Sequence, residues 1–244
     1  MSELASLTWT DVADSVRRGA VLAVPVGATE QHGPHLPMST DTDIAVALAR
    51  RLAEQVPGVV VAPAVAFGSS GEHQGFPGTL SIGQEAVELV LVELVRSAAV
   101  TFSQAVLVSA HGGNAQPVVR AVRRLRAEGH NVLAWGPRWG GDAHAGRTET
   151  SVMLALVPQL VRLEAAQAGN TAPVRTLLTR LREKGLSAVT RNGVLGDPGG
   201  ANADEGLLLL RRAAVELADA VVRQRRHEAY AEGRQFAAES MDRA

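Results

Sequence analysis

Histidine and carboxylate side chains gather in four short polar segments of the 244-residue sequence. The segments are GATEQHGPHLPMSTD (27–41), GEHQGFPGT (71–79), SAHGGN (109–114) and DAHAGRTETS (142–151). Imidazole and carboxylate groups are the ligands of many catalytic zinc, iron and manganese sites. The chain has no cysteine, which excludes thiolate zinc sites, iron–sulfur clusters and disulfides. The sequence therefore predicts a metal centre held only by His, Asp and Glu.

The first segment places ligand types at spacings that suit one cavity. Side chains alternate along an extended backbone, so Glu30 and His32 are expected to point to the same side. Asp41 follows a proline-containing loop, and its two carboxylate oxygens can bridge a pair of cations. We therefore expect Glu30, Asp41 and His111 to bind one metal ion. His32 and the other oxygen of Asp41 are expected to bind a second ion.

The second metal ion needs one more anion. Glu149 is the first choice, because it is close to His144 in the sequence and follows the end of a predicted strand. Glu72 is the alternative. Each candidate ligand considered alone has a simpler explanation without metal. Asp41 could cap a helix, and His144 could lie on the surface. Their joint placement favours a metal centre.

Buried strands and amphipathic helices must position these segments. Short apolar runs predict four strands, over 20–26, 58–65, 104–110 and 130–135. Apolar residues at helical spacing predict seven helices, over 10–18 with Thr10 as N-cap, 41–55, 84–100, 117–128, 151–156, 171–185 and 207–224. Strands that alternate with helices are typical of a mainly parallel sheet with helices on both faces. We expect a single α/β domain over residues 1–244.

Ligands of parallel α/β sheets bind at the carboxyl ends of the strands. Five of the seven histidines come just after a predicted strand, namely His32, His35, His73, His111 and His144. Independent core or surface histidines would not be expected to concentrate at one edge of a sheet. Their placement indicates one shared site.

Composition and motifs exclude several other classes of protein. The net charge of -1 gives no electrostatic basis for binding nucleic acid. No apolar run approaches the roughly 18 residues of a membrane helix, and the N-terminus has no signal-peptide core, so we expect a cytoplasmic protein with no membrane partner. The segment FGSSG (67–71) lacks one residue of the G-x-S-x-G elbow, and G-x-G-x-x-G, P-loop and H-E-x-x-H motifs do not occur.

The four segments, in this order, resemble the signature of the creatininase, or creatinine amidohydrolase, family. The resemblance spans residues 21–156, and the string EQHGPHLP (30–37) is highly specific. It implies a layered creatininase-like α/β fold, two divalent metal ions per subunit, and a cyclic homo-oligomer, commonly a hexamer. It also implies metal ligands at the positions expected above, which are Glu30, His32, Asp41 and His111.

One departure from the family pattern affects the second metal site. Creatininase has a glutamate two residues after its last ligand histidine, whereas this chain has Gly113. Glu149 is therefore needed to complete the second site, and the departure argues against creatinine itself as the substrate.

Within the family, the segments WGGDAHAGRTETSVMLAL (139–156) and NGVLGDPGGANADEG (192–206) most resemble the peptidases of mycofactocin biosynthesis. That resemblance implies hydrolysis of a modified precursor peptide near its C-terminus, with release of a cross-linked dipeptide unit derived from Val and Tyr. The metal ions implied are zinc, iron(II) or both, with manganese as a further option. Two alternatives stay open, a creatininase-type amidohydrolase of cyclic amides or formamides, and a non-catalytic subunit stabilised by metal.

The resemblance also suggests roles for residues around the metal ions. His144 or Glu149 would carry a proton to the departing amine, and Asp142 would orient His144 or bind the substrate amine. His35 would support the ligands from behind. The residues expected to line the substrate cavity are Ser69, Ser70, His73 and Gly112.

Overall fold

A five-stranded sheet organises the chain, and all of its strand pairs are parallel. The computed structural model describes residues 2–241, with side chains for residues 2–225. The strands are β1 (Ser2–Glu3), β2 (Val21–Val26), β3 (Val59–Val61), β4 (Gln104–Ser109) and β5 (Val132–Trp135), in the spatial order β1-β3-β2-β4-β5. The predicted parallel α/β fold is confirmed. The expectation of one domain over 1–244 stays a prediction, and residues 1 and 242–244 lie outside the described residues.

Strand β2 lies at the centre of the sheet and is buried along its whole length. Its alternating side chains enter two separate cores, with Val21 and Ala23 on one face and Leu22 and Val24 on the other. A strand buried on both faces has no polar face, which is why its sequence is continuously apolar.

Of the seven α-helices in the described part of the chain, six cover the two faces of the sheet. The seven are α1 (Trp9–Arg17), α2 (Thr40–Gln55), α3 (Gln84–Ala98), α4 (Ala115–Ala127), α5 (Arg147–Leu156), α6 (Val174–Lys184) and α7 (Ala203–Met241). Helices α2, α5 and α7 pack on the face that carries Val21, while α1, α3 and α4 contribute to the core on the opposite face. Helix α6 contains no buried residue and borders a cavity instead of the core.

Helix starts differ from those predicted because polar caps decide them. Helix α1 begins at Trp9, since Thr8 forms a capping box with Asp11, and Thr10 lies inside the helix. Helix α7 begins at Ala203 and not at Leu207, because Asn202 Oδ1 accepts a hydrogen bond from the Glu205 backbone N–H at 2.9 Å.

Helices α5 and α7 approach each other closely at Gly206, where an added Cβ would overlap the carbonyl oxygen of Ser151. The Glu205 carboxylate strengthens this contact by accepting hydrogen bonds from the Ser151 hydroxyl and the Arg147 guanidinium. This packing fixes the helix that carries Glu149. Among the described residues, no helix combines the length and apolar character needed to cross a bilayer.

Candidate metal centre and active site

The polar segments meet at the carboxyl ends of the central strands. Glu30 and His32 follow β2, Asp41 lies in the first turn of α2, His111 follows β4, and Glu149 lies in the first turn of α5. The first four are buried, and the side chain of Glu149 is 15% exposed. The structure therefore brings all five predicted ligands together.

One group of three ligand types surrounds a common point. His111 Nδ1 lies 3.2 Å from Asp41 Oδ2, and His111 Nε2 lies 3.2 Å from Glu30 Oε2. One ligand atom from each of these three residues falls within 4.8 Å of the other two. A cation could contact all three, which is the arrangement expected for the first metal ion.

A second group shares Asp41 with the first. His32 Nε2 lies 3.4 Å from Asp41 Oδ1 and 4.0 Å from Glu149 Oε2. The two oxygens of Asp41 thus face different histidines, as a bridging carboxylate would require. Glu149 Oε2 also accepts a hydrogen bond of 2.6 Å from the Ala145 backbone N–H, which fixes its orientation.

His73 and His144 add a third group around Glu30. His73 Nε2 lies 3.3 Å from Glu30 Oε1, and His144 Nδ1 lies 3.8 Å from the same oxygen. These histidines also contact each other, with ring centroids 4.5 Å apart. The sequence predicted His73 as a residue of the substrate cavity only, whereas the structure places it directly against a predicted metal ligand.

Burial and neighbouring opposite charges shift the pKa values of His32, His111 and Asp41 in opposite directions. Burial alone would lower the pKa of His32 and of His111, but the nearby Asp41 carboxylate raises both values to about 10. Burial alone would raise the pKa of Asp41, but the same two imidazoles lower it well below its usual range. Burial and the charge of Asp41 raise the pKa of Glu30 to about 8.

Burial also shifts the pKa values of His73, His144 and Glu149 toward their neutral forms. Burial lowers the pKa of His73 to about 3, and it lowers the pKa of His144 well below its usual value. Burial also raises the pKa of the Glu149 carboxyl. Neutral imidazoles can accept a proton or bind a cation, so both functions are available here.

Several buried ligand atoms form no hydrogen bond in the structure, which tests whether metal ions fit. They are both oxygens of Glu30, Nε2 of His32 and Oδ2 of Asp41, although each lies within 3.4 Å of an imidazole nitrogen or a carboxylate oxygen. Buried polar atoms are nearly always paired, so four such atoms at one point need an explanation. Divalent cations supply one, because three carboxylates and several imidazoles match the ligand preference of zinc, iron and manganese.

The loop after β2 is folded tightly enough to hold its ligands. The backbone N–H of Glu30 donates to the Met38 carbonyl at 3.1 Å, and the Thr40 hydroxyl donates to the Pro37 carbonyl at 2.7 Å. Gly27 lies against Thr42, and a Cβ at position 27 would overlap the Thr42 backbone. The close approach brings Asp41 back beside Glu30.

Asn114, the last residue of SAHGGN, joins loops from three strand ends. Its side-chain N–H donates to the Gly27 carbonyl, and its Oδ1 accepts from the Ser69 backbone N–H, both at 2.9 Å. The Ser69 carbonyl in turn lies 3.0 Å from His111 Nε2, and the Ser70 hydroxyl lies 3.4 Å from the same nitrogen. Asn114 was not among the residues predicted from the sequence, although its place beside His111 was a usable signal.

The surroundings of Gly113 explain why this chain has no glutamate at the position where the family pattern has one. A Cβ at Gly113 would overlap both the Ser69 carbonyl oxygen and His111 Nε2, and would lie 2.8 Å from Glu72 Oε1. This backbone therefore has no room for a glutamate side chain. Glu72 lies on the cavity wall but outside the groups that could hold a metal ion among the described residues, whereas Glu149 lies inside one of them.

Asp142 does not orient His144 in the structure. Its Oδ2 accepts a hydrogen bond of 2.6 Å from the Arg147 backbone N–H, which caps α5, and no hydrogen bond joins it to His144 among the described residues. His144 is instead held by Gln31, whose carbonyl oxygen lies 2.8 Å from His144 Nε2. His35 lies behind the centre, with Nε2 2.9 Å from the Thr150 hydroxyl.

A cavity of about 700 Å³ opens beside the ligand cluster. Glu30, His111 and His144 line its floor, and Gly112 and His73 also reach it. Its opposite wall is α6, which presents Val174, Leu178 and Leu181. The cluster therefore faces a space large enough for a peptide segment with an apolar side chain.

Known proteins share both the sequence and the fold. A family profile described as creatinine amidohydrolase matches residues 5–221. A mycofactocin precursor peptide peptidase of Mycobacterium tuberculosis is 50% identical over 214 residues, which cover 83% of each chain. A solved mutant creatininase superposes with a TM-score of 0.80 and 28% identity, covering 91% of this chain and 98% of the other. A mutant creatininase of Zn-Zn type has a TM-score of 0.79 and 26% identity, covering 92% and 98%. The chain belongs to the creatininase family of amide-bond hydrolases.

Proposed function

We propose that the chain is a metal-dependent peptidase of mycofactocin biosynthesis. It hydrolyses the modified precursor peptide near its C-terminus and releases the cross-linked dipeptide unit derived from Val and Tyr. The observation that carries the proposal is the buried ligand cluster, open to a cavity, in a chain 50% identical to a precursor peptide peptidase.

Two cations would be held by five residues of the chain. Glu30, Asp41 and His111 would bind one, while His32, Glu149 and the second oxygen of Asp41 would bind the other. Bound divalent ions of this kind supply Lewis acidity, which activates water and polarises a carbonyl oxygen. Zinc, iron(II) or a mixture is proposed, with manganese as a further option, because the ligand set contains only nitrogen and oxygen.

His144 is proposed to move the proton during hydrolysis. Its Nδ1 faces Glu30 and the cavity, while its Nε2 is engaged by the Gln31 carbonyl. Cleavage of an amide adds a water molecule across the C–N bond, so the water must lose a proton and the departing nitrogen must gain one. A neutral His144 can accept the first proton at Nδ1 and deliver it to the nitrogen.

The cavity is proposed to hold the residues on either side of the scissile bond. Its floor carries the ligand cluster, and its α6 wall offers Val174, Leu178 and Leu181 to an apolar side chain. Ser69 and Ser70 support this floor through His111. Glu72 contributes a carboxylate to the wall.

The proposal is tested by incubating purified protein with the modified precursor peptide under anaerobic conditions, with iron(II) or zinc added. Mass spectrometry should detect the cross-linked dipeptide unit and the shortened peptide. The matched control is the unmodified precursor, which lacks the cross-link. Absence of dipeptide release with fully metal-loaded protein would refute the proposed function.

Two variants separate catalysis from simple metal stabilisation. His144→Ala should retain both metal ions and lose turnover, since His144 is assigned to proton transfer. Glu149→Gln should lose the second ion as well as turnover. A non-catalytic subunit would show no turnover in the parent protein, with either metal.

A second candidate function is hydrolysis of a cyclic amide or formamide, which the TM-score of 0.80 to a creatininase favours. The crowded position at Gly113 argues against creatinine itself. Measuring turnover of a panel of small cyclic amides and formamides beside the precursor peptide distinguishes the two.

A cyclic homo-oligomer, with a hexamer favoured, completes the proposal. Exposed apolar side chains on α7 support it, with Leu208 65% and Val215 52% exposed. Light scattering on the metal-loaded protein measures the number of subunits directly.

A further inference from the structure

We infer that the Glu72 carboxylate is a substrate-binding group that accepts a hydrogen bond from a main-chain N–H of the peptide, on the N-terminal side of the scissile bond. This contact favours peptides over small amides that lack such an N–H. The inference deepens the proposed function, on which it rests for the class of substrate.

The Glu72 carboxylate faces the cavity without a partner from the protein. Glu72 belongs to a one-turn helix, Gly71–His73, in the loop after β3, and its partly buried side chain lines the cavity. Within the described part of the chain, neither a hydrogen bond nor an ion pair engages the carboxylate, and Glu72 belongs to none of the groups that could hold a cation. Its oxygens are therefore available to a ligand.

Glu72 lies close to the ligand cluster, beside the position where the family pattern has a glutamate. A Cβ at Gly113 would lie 2.8 Å from Glu72 Oε1 and 2.4 Å from His111 Nε2, so the two side chains flank one point on the cavity floor. Successive Cα atoms of a peptide are about 3.8 Å apart. A peptide whose scissile carbonyl is held at the cluster can therefore reach Glu72 within about two residues.

The backbone of Glu72 is held between the ligand cluster and α6. On one side, the ring of the neighbouring His73 lies edge-on to the rings of His111 and His144. On the other side, a Cβ at Gly185, whose φ is +74°, would lie 3.2 Å from the Glu72 carbonyl oxygen. Because the loop is fixed before the substrate arrives, little ordering is needed on binding.

Gln31 and a distant loop support the same histidines. Gln31 Nε2 lies 3.1 Å from His73 Nδ1 and donates to the Gly193 carbonyl at the same distance. The Leu195 N–H, in the same loop as Gly193, donates to the His144 carbonyl at 2.9 Å. The loop at 193–195 therefore contributes to the fixed position of the Glu72 loop.

The chemistry of a carboxylate decides which part of the peptide it binds. A carboxylate only accepts hydrogen bonds, and the main chain offers an N–H at every residue except proline. The proposed mechanism directs the departing nitrogen to His144, so the residues before the scissile bond face the side of the floor formed by His111 and Gly113. The opposite wall offers the apolar Leu178 and Leu181 of α6 to side chains. The Glu72 wall is thus left for the main chain.

The test measures binding of the shortened precursor peptide, the N-terminal product of the proposed cleavage, to zinc-loaded protein by calorimetry. Glu72→Met keeps the length of the side chain but has no oxygen, and we expect Kd to rise by about 10- to 100-fold, as for loss of a hydrogen bond to a charged group. Glu72→Gln, which keeps one oxygen without the charge, should give an intermediate Kd. Glu54→Met makes the same change at an exposed position on α2 and is the matched control.

Zinc content distinguishes a substrate-binding role from a metal-binding role. We expect Glu72→Met to hold as much zinc as the parent protein, because Glu72 lies outside the groups that could hold a cation among the described residues. Equal Kd values for the parent protein and Glu72→Met, or loss of zinc in Glu72→Met, would overturn the inference.

Methylation of single main-chain nitrogens in the shortened peptide locates the N–H that Glu72 binds. At that nitrogen, methylation should weaken binding to the parent protein by about 10-fold or more and leave binding to Glu72→Met unchanged. Losses of equal size in both proteins at every methylated position would refute the main-chain contact. The readout is binding and not cleavage, so it fails separately from the proposed function, which is tested by dipeptide release.

Discussion

Asp41 Oδ2 lies 3.2 Å from His111 Nδ1, although Asp41 lies in the first turn of a helix and His111 follows a strand. Asp41 Oδ1 points instead toward His32. A single carboxylate therefore connects two histidines that belong to different loops. Asp41 is the point at which the two proposed metal sites depend on each other.

Replacing Asp41 should disturb both metal ions at once. Asp41→Asn keeps the size of the side chain but removes its charge. We expect metal affinity and activity to fall by about 100-fold or more. Elemental analysis after gel filtration measures the metal content. Asp43→Asn, in the same turn of α2, is the control, because Asp43 binds the Ser39 hydroxyl and not the cluster. Full retention of both ions in Asp41→Asn would show that Asp41 is not a bridge.

Metal binding should release protons. The pKa values of about 10 for His32 and His111 lie above neutral pH, so both rings are protonated in the metal-free protein. Glu30, with a pKa of about 8, is also largely protonated at neutral pH. A cation requires the unprotonated forms, so apparent affinity should rise with pH from neutral pH, through the pKa of Glu30 at about 8, and up to the pKa values of His32 and His111 at about 10. Calorimetry in buffers of different ionisation enthalpy counts the released protons, and a count of zero at neutral pH would contradict this prediction.

A methyl group at Gly113 should damage the centre through His111. The added Cβ of Gly113→Ala would overlap the Ser69 carbonyl and His111 Nε2, so the ring or the loop must move. We expect metal affinity to fall by about 10-fold or more. Gly112→Ala is the matched control for metal content and thermal stability, because a Cβ there has no neighbour within 4 Å. Equal metal content in the two variants would show that a methyl group at position 113 does not displace His111.

The α6 wall should affect substrate binding more than catalysis. Leu178→Ala removes apolar surface from the cavity, and we expect KM for the precursor peptide to rise by roughly 5- to 20-fold with kcat nearly unchanged. Steady-state kinetics of the released dipeptide unit measures both values. Leu208→Ala, an exposed leucine on α7, should change neither. A fall in kcat alone would show that Leu178, although it lines the cavity, does not contribute to substrate binding.

Packing between α5 and α7 should tolerate no side chain at Gly206. Because a Cβ at this position overlaps the Ser151 carbonyl, Gly206→Ala should destabilise the protein by about 1–3 kcal/mol. Chemical denaturation measures the change. A result within about 0.5 kcal/mol of the parent protein, the range expected for surface changes, would show that the helices can separate at no cost.

Much of the fold was predictable from local patterns. Strand β2 is recognisable because burial on both faces leaves a continuous apolar run, and the five proposed ligands are recognisable because each follows a strand end or lies in the first turn of a helix. Strand β1 could not be predicted, because its two residues gain their conformation from pairing with Val60 and Val61 and not from their own propensity.

The missed parts of the site depend on contacts between distant residues. Gln31 looks like a polar loop residue, and its role becomes visible only when Gly193 and His144 are placed beside it. His73 was predicted to line the cavity, and its contact with Glu30 depends on how the loop after β3 folds over the sheet edge. The prediction that Asp142 orients His144 is wrong, because closeness in sequence does not bring the two side chains together and Asp142 caps α5 instead. Its alternative role, binding the substrate amine, stays a prediction.

The loop that contains Gly193 and Leu195 has a consequence for protein synthesis. Every proposed metal ligand is translated before residue 150, but His144 and Gln31 take partners from the loop at 193–195. A nascent chain that has not yet exposed this loop outside the ribosome lacks these hydrogen bonds to Gln31 and to the backbone of His144. With His144 in its proposed role, we expect peptide-cleaving activity only after most of the polypeptide has been made.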